Sequence, residues 1–436
     1  MASSTRLSDL CEQIVDCPHS TPLWTDYGAI VLRSQNIKNG RLDLSAPSYT
    51  DDEHFQARTR RAVPTEGDLV ITREAPMGEV CIIPPGVECC LGQRMVLLRP
   101  NCAKVDSRYL LFALQSNSVR HEIFVNEGTG STVSNLRIPL LEALPIPTPA
   151  LPEQRAIAHI LGTLDDKIEV NRKMNETLEA MARALFQSWF VDFDPVRAKA
   201  EGRDPGLPAD IAALFPDSFQ NSELGPIPTG WRDLPLPQCI EVNPSRALRK
   251  GQIAPYLDMA NMPTSGHVPD EVIDRPFGSG MRFMNGDTLV ARITPCLENG
   301  KTAYVDLLEE GQVGWGSTEY IVLRPKPPLP REFAYCLARS TEFREFAIQS
   351  MTGSSGRQRV PAESLSHFQL AVPPAAIATE FGEIVAPLFA RATKAANESR
   401  TLATLRDSLL PKLISGELRV KTSQSEQSTP AEVCNG

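Results

Sequence analysis

The chain lacks the motifs of a self-contained enzyme. No phosphate loop is present: the nearest match, around Gly300-Lys301-Thr302, carries Pro295 where the first glycine is required, so backbone amides cannot form the cradle. Gly128 and Gly130 open a G-x-G-x-x-G pattern that fails at Val133 and has no strand–helix–strand setting. Asn243-Pro244-Ser245-Arg246 lacks the second proline and the aromatic of a base-gripping methyltransferase loop, and no glutamate is followed two places later by lysine, as a common Mg²⁺ nuclease site requires. G-x-S-x-G and H-E-x-x-H are absent too. The six histidines are scattered, and the 10 cysteines contain no C-x-x-C pair, although Cys89 and Cys90 are adjacent. Buried free thiols are expected, and no catalytic residue, metal or cofactor is expected in this chain.

Two further shortages bound the class. No apolar run approaches the roughly 18 residues of a membrane span, and the opening residues show no basic segment followed by an apolar stretch, so a cytoplasmic protein with no membrane partner is expected. Positive charge is also short: 44 Lys and Arg stand against 53 Asp and Glu, a net charge of −9. Nonspecific coating of nucleic acid depends on phosphate neutralisation, so any such role needs local basic loops or basic partners. What the chain has is length and proline: 436 residues suggest about three packing units at about 150 each, and 37 prolines exceed the usual share of about 5%.

The chain also repeats itself. Gly67-Asp68 leads into Leu69-Val70-Ile71-Thr72-Arg73, and Gly286-Asp287 leads into Leu289-Val290-Ala291-Arg292. A second strand-like run ends in the same tripeptide each time, Leu98-Arg99-Pro100 and Leu323-Arg324-Pro325. Each is followed by an aromatic-rich helical stretch (Tyr109 to Phe124, Phe333 to Ile348), then a Gly/Ser/Thr loop (Gly128 to Thr132, Thr352 to Gly356), then a short strand with prolines (Leu144 to Pro147, Leu370 to Pro374). The order of elements is the same twice.

Behind each proline cluster lies a long helix with coiled-coil spacing. Ile157, Leu161, Leu164, Ile168, Asn171, Asn175, Leu178, Ala182 and Leu185 alternate steps of four and three. Ile377, Phe381, Ile384, Leu388, Arg391, Ala395, Glu398, Leu402 and Leu405 repeat that register 220 residues later, and Leu409 extends it. About 33 residues at 1.5 Å each make a rod of about 50 Å, longer than one small domain requires. A pseudo-twofold between the halves predicts an antiparallel pair with Asn171 opposite Arg391, and Pro387 predicts a kink or break. The expected fold class is α+β: two similar domains, residues 1–150 and 229–374, separated by helices 151–190 and 375–418. A proline-rich linker spans 191–228, within which Ile211 to Phe215 could dock, and a disordered tail covers 419–436.

A binding protein then needs cations that can meet a polyanion. Arg58, Arg60 and Arg61 cluster in the first half, Arg246, Arg249 and Lys250 in the second, and Arg357 and Arg359 follow the second Gly/Ser loop. Arg73 and Arg292 occupy equivalent positions. Arginine can bind guanine bidentately, and either cation can contact phosphate, but each cluster reads equally as a solvated patch.

These residues carry a resemblance to a known family. Phe186-Gln187-Ser188-Trp189-Phe190-Val191-Asp192-Phe193-Asp194-Pro195, Gly225-Pro226-Ile227-Pro228-Thr229-Gly230-Trp231 and Leu409-Leu410-Pro411-Lys412-Leu413-Ile414-Ser415-Gly416-Glu417-Leu418 resemble segments of the DNA-specificity subunit of Type I restriction-modification systems. Pro152-Glu153-Gln154-Arg155 resembles that family's entry to its central helix, whereas the second half departs there with Ala376-Ile377-Ala378-Thr379. The resemblance implies two target-recognition domains on an antiparallel coiled coil that read a bipartite, asymmetric site in double-stranded DNA. It places the chemistry on partners: two modification subunits that bind S-adenosylmethionine, and restriction (translocase) subunits that use ATP and Mg²⁺. The competing classes are a coiled-coil scaffold whose globular halves bind protein, and a stand-alone methyltransferase with degenerate motifs.

Overall fold

The computed structural model describes residues 3–125, 135–269, 271–354 and 356–420. The first Gly/Ser/Thr loop, Ser355 of the second loop and the tail from 421 lie outside the described residues. The chain divides into two compact units, residues 1–168 with 401–436 and residues 169–400, so the boundary falls inside both long helices.

The repeat is structural. In the first unit a four-stranded antiparallel sheet has the spatial order Cys11–Asp16, Met95–Pro100, Leu69–Thr72, Val80–Ile82. The second unit orders Ile240–Val242, Tyr320–Pro325, Thr288–Ala291 and Thr302–Tyr304 in the same way. Register agrees as well: Leu98 lies opposite Leu69, and Leu323 opposite Thr288. Each unit adds a second sheet containing one parallel pair, three-stranded with Ala29–Leu32 beside Cys89–Leu91 and four-stranded with Ile253–Leu257 beside Gly314–Gly316. Strands Leu69–Thr72 and Thr288–Ala291 are buried throughout, as their apolar runs require of strands covered on both faces.

The repeated Gly-Asp and Leu-Arg-Pro motifs form a clasp. Asp68, nearly fully buried, accepts hydrogen bonds from Arg99 at 2.7 and 3.0 Å and from the Thr65 amide at 2.9 Å. Asp287, fully buried, accepts from Arg324 at 2.6 Å and from the Met284 amide at 2.8 Å. Each aspartate opens a central strand and meets the arginine near the end of its antiparallel neighbour. Burying a carboxylate this deeply requires paired charge and several donors.

Two short helices follow in each unit, Ser107–Gln115 with Asn117–Val125 and Arg331–Arg339 with Thr341–Gln349. Asp106 caps the first of these through the Tyr109 amide at 2.9 Å, and Ser340 caps the last through the Phe343 amide at 3.3 Å. A two-stranded ladder closes each lobe at the entry to its long helix: Ser4–Arg6 with Pro145–Pro147, and Arg232–Pro235 with Gln369–Val372.

The long helices run Leu151–Phe190 and Ala375–Ser415. They pair antiparallel within each unit. In the first unit Glu153 meets Arg419 at 2.9 Å and Asp165 meets Arg406 at 2.7 Å. In the second, Asn171 donates to Glu398 Oε2 at 2.8 Å, and the Phe186 and Phe381 rings lie 6.2 Å apart. Partner numbers fall as the first helix's numbers rise.

Several expectations about this pair need correction. Asn171 faces Ala395 and Glu398, not Arg391, which is exposed. Of the expected seam, Ile157, Leu161, Asn171, Ile377 and Phe381 are buried. Leu164, Ile168, Leu178, Leu185, Ile384, Leu388, Leu402 and Leu409 are half-buried, and Leu405 is 45% exposed. Ala182 and Ala395 of the expected register are buried as well, and the second helix also buries Val385, Phe389 and Ala392, which lie off it. A straight helix drifts about 20° per heptad from a strict seven-residue repeat, and globular elements also cover these helices. Pro387 does not break the second helix, which runs on through it. The lost backbone hydrogen bond, worth about 3 kcal/mol, is offset by the fully buried Phe381, Val385 and Phe389 around it.

The stretch 191–228 is not a bare tether. It forms helices Asp194–Ala200 and Ala209–Ala212 and a hairpin of Phe219–Ser222 with Gly225–Pro228. Phe215 packs its ring 5.0 Å from Trp189, and Phe193 stacks edgewise on Trp231 at 5.5 Å. Prolines limit regular structure here, but Val196, Phe215 and Ile227 supply enough apolar area to dock the segment on its own unit.

Candidate nucleic-acid interface

The structure separates the ten candidate cations into two groups. Arg58 is buried and donates to the carbonyls of Leu91 at 2.8 Å, Ser20 at 2.9 Å and Pro18 at 3.2 Å. Arg73 makes two contacts to Asp16, at 2.8 and 2.9 Å, and donates to the Leu136 carbonyl at 3.0 Å. Arg246 joins the second clasp, 3.1 Å from Asp287. Arg359 grips both oxygens of Glu319 at 2.9 Å, and Arg292 lies 3.7 Å from the same carboxylate. All five are engaged within their own lobes, Arg58 by backbone carbonyls and the other four by an aspartate or glutamate. Sequence proximity to a loop does not reveal the acid.

Arg60, Arg61, Arg249, Lys250 and Arg357 are exposed and remain available to a polyanion. In the first unit, Arg60 and Arg61 lie just past the helix Asp52–Thr59, and Arg61 reaches toward the Asp16 carbonyl at 3.4 Å. In the second, Arg249 and Lys250 occupy the turn before strand Ile253–Leu257. Arg357 sits in the turn that closes on Thr352 and Arg359, which bridge each other through paired backbone hydrogen bonds of 2.9 Å. Two of the five belong to the first unit and three to the second.

Reading cations alone missed an aromatic loop in the first unit. Leu23, Trp24 and Tyr27 are 55%, 45% and 83% exposed, and Arg33 lies over the Trp24 ring at 5.2 Å. The available signal was two aromatics within four residues of a polar loop, in a chain only 6% aromatic. Beside this region lies an open cleft of about 470 Å³ lined by Ser34, Asn36, Lys38, Asp43 and Pro76.

The lobes disfavour the thiolate at several buried cysteines. Burial pushes the Cys81 and Cys89 thiols up to about 12, and Cys336 is raised further by the same cause. Among the described residues no group of three or more His, Cys, Asp and Glu is placed to hold a metal ion. The arrangement offers hydrogen-bond donors, cations and aromatic faces to a partner.

Comparison with known proteins bears on this geometry. The family model described as the Type I restriction modification DNA specificity domain matches residues 4–180, which is the first lobe and most of the first long helix. The MjaIX specificity subunit of a Type I restriction enzyme from Methanocaldococcus jannaschii is 26% identical over 375 residues, 82% of this chain and 78% of that protein. Residues 4–180 thus match the specificity domain of Type I restriction-modification systems, and the chain is similar over most of its length to Type I specificity subunits.

The HindI specificity subunit of Haemophilus influenzae is 23% identical over 374 residues, covering 74% of this chain and 80% of that protein. The crystal structure of a Type I system S subunit from M. genitalium shares the fold, with a TM-score of 0.58 at 17% identity over 95% of this chain and 96% of that one. This similarity fits the motifs at each end of the long helices. Phe186, Trp189 and Phe190 form the aromatic core where the first helix ends, and Leu413 and Ile414 are buried in the first unit where the second helix ends.

Proposed function

We propose that this chain is the noncatalytic subunit that gives a Type I restriction-modification complex its DNA specificity, each lobe reading one half of a bipartite, asymmetric target in double-stranded DNA. The observation that carries the reading is the duplicated lobe: one sheet order, one strand register and one Asp–Arg clasp, built twice in one chain on antiparallel helices. Two similar lobes in one chain suit the two halves of a bipartite site. The loops differ between lobes, and that difference is what an asymmetric target requires.

The chemistry belongs to partners on this reading. Two modification subunits carry S-adenosylmethionine, restriction subunits carry ATP and Mg²⁺, and the helices scaffold their assembly. The acidic net charge of −9 is accommodated if those partners enclose much of the DNA. No helix among the described residues is long and apolar enough to cross a membrane, in keeping with a partner in the cytoplasm.

Expression of the chain with its modification partner in a methylation-free host, followed by methylome sequencing, tests this. A two-part methylated motif, absent when either subunit is omitted, is the expected result. Unmodified DNA together with retention of protein partners alone supports the scaffold class instead. Calorimetric binding of S-adenosylmethionine by the isolated chain supports the stand-alone methyltransferase.

A further inference from the structure

We propose that the loop 18–28 is the base-reading element of the first lobe, with Trp24 and Tyr27 as its specificity-determining side chains and buried Arg58 as the residue that positions it. This rests on the DNA-recognition reading above and names the surface that performs it.

Three large apolar side chains, Leu23, Trp24 and Tyr27, stand in solvent within five residues. Such a cluster on a flexible tip would collapse onto the protein, whereas this loop is held open. Arg58 clamps its start through the Pro18 and Ser20 carbonyls, and Gln93 donates to the His19 carbonyl at 2.7 Å. Thr50 Oγ1 donates to the Leu23 carbonyl at 2.8 Å, the Thr25 amide to the Tyr49 carbonyl at 3.1 Å, and Thr25 Oγ1 to the Tyr27 carbonyl at 2.7 Å. Gly28 ends the loop at φ +128°, where an added Cβ would stand 2.3 Å from the Thr50 carbonyl oxygen. A side chain there would push the loop off the strand. Rings presented on a rigid backbone lose little entropy on binding.

The surroundings select the partner. Arg33 is stacked on Trp24, Arg60 and Arg61 are exposed nearby, and Arg94 is 53% exposed next to Gln93. The acids include Asp26 on the loop tip, Asp16, 3.3 Å from His19 and held by Arg73, Asp51, paired with His54, and Glu74, which lies 3.7 Å from Arg94. Aromatic faces ringed by arginine fit a duplex: cations take the phosphates, while rings pack on thymine methyls or sugars and Asp26 can accept from a cytosine amino group. A protein partner would meet the same rings without needing the flanking cations.

The test uses the full chain co-expressed with its modification subunit and reads the methylated motif. Tyr27→Ala and Trp24→Ala are expected to relax or abolish base preference in one half of the motif, with methylation at cognate sites down about tenfold, and to leave the other half unchanged. Arg58→Lys is expected to alter the same half although its side chain lies beneath the loop. Variants that keep the wild-type motif and methylated fraction overturn the inference. So does loss of modification-subunit copurification, which would make the loop a protein contact. Because Tyr27 is exposed, its variant folds even if Arg58→Lys does not. A wild-type complex that yields no bipartite motif refutes the functional reading itself, a result distinct from failure of the loop assignment.

Discussion

Asp287→Asn tests the clasp that defines each lobe. The carboxylate is fully buried and holds Arg324 Nη1 at 2.6 Å, Arg246 Nη2 at 3.1 Å and the Met284 amide at 2.8 Å. Both arginines are under a third exposed, so solvent screens these contacts little. Asparagine keeps the volume but removes the charge and turns one acceptor into a donor facing guanidinium groups. Removing one member of a buried pair costs about 3–5 kcal/mol, and the retained amide acceptor places this variant near 3 kcal/mol. For a unit of this size that is a fall of about 6–12 °C in Tm. Calorimetry on the full chain reads it, and Asp68→Asn should do the same to the first unit through Arg99. A loss below about 1 kcal/mol would mean that the repeated motifs are not the structural clasp described, and Arg246 would return to the list of DNA contacts.

Trp189→Ala empties a fully buried site between Phe190, Phe215 and Phe381, and should cost about 3–5 kcal/mol in denaturant unfolding of the full chain. Cys81 and Cys89, raised to about 12 by burial, should resist iodoacetamide at pH 8 until the protein is denatured, while exposed Cys102 reacts; mass spectrometry of the labelled peptides decides. For those two thiols the thiolate fraction grows only as pH rises toward 12, so native labelling should increase with pH and never dominate near neutrality. If Arg249, Lys250 and Arg357 meet phosphate, each alanine substitution should reduce the slope of log affinity against log salt for the complex on duplex DNA by about 0.9. Unchanged slopes would remove them from the interface.

Much of the architecture was legible in the chain. The repeated Gly-Asp and Leu-Arg-Pro motifs marked the two central strand pairs because the aspartate of the turn that opens one strand meets the arginine near the end of its antiparallel neighbour. The two helices and their antiparallel sense followed from one apolar period occurring twice. The seam itself was only half legible. A heptad list treats a helix as facing one neighbour, whereas Val385 and Phe389 are buried in a core shared with the second lobe.

Spacing and the duplicated order of motifs therefore determined the fold class, since that depends on local periodicity and on turn chemistry that neighbouring residues dictate, while the family rested on the resemblance of a few motif segments. The roles of individual arginines were decided only in three dimensions. Arg58 and Arg60 are two residues apart, yet one lies under a loop bound to three carbonyls and the other stands in solvent. A guanidinium's task depends on which acceptors the fold brings within about 3 Å, and those acceptors come from residues far away in the sequence.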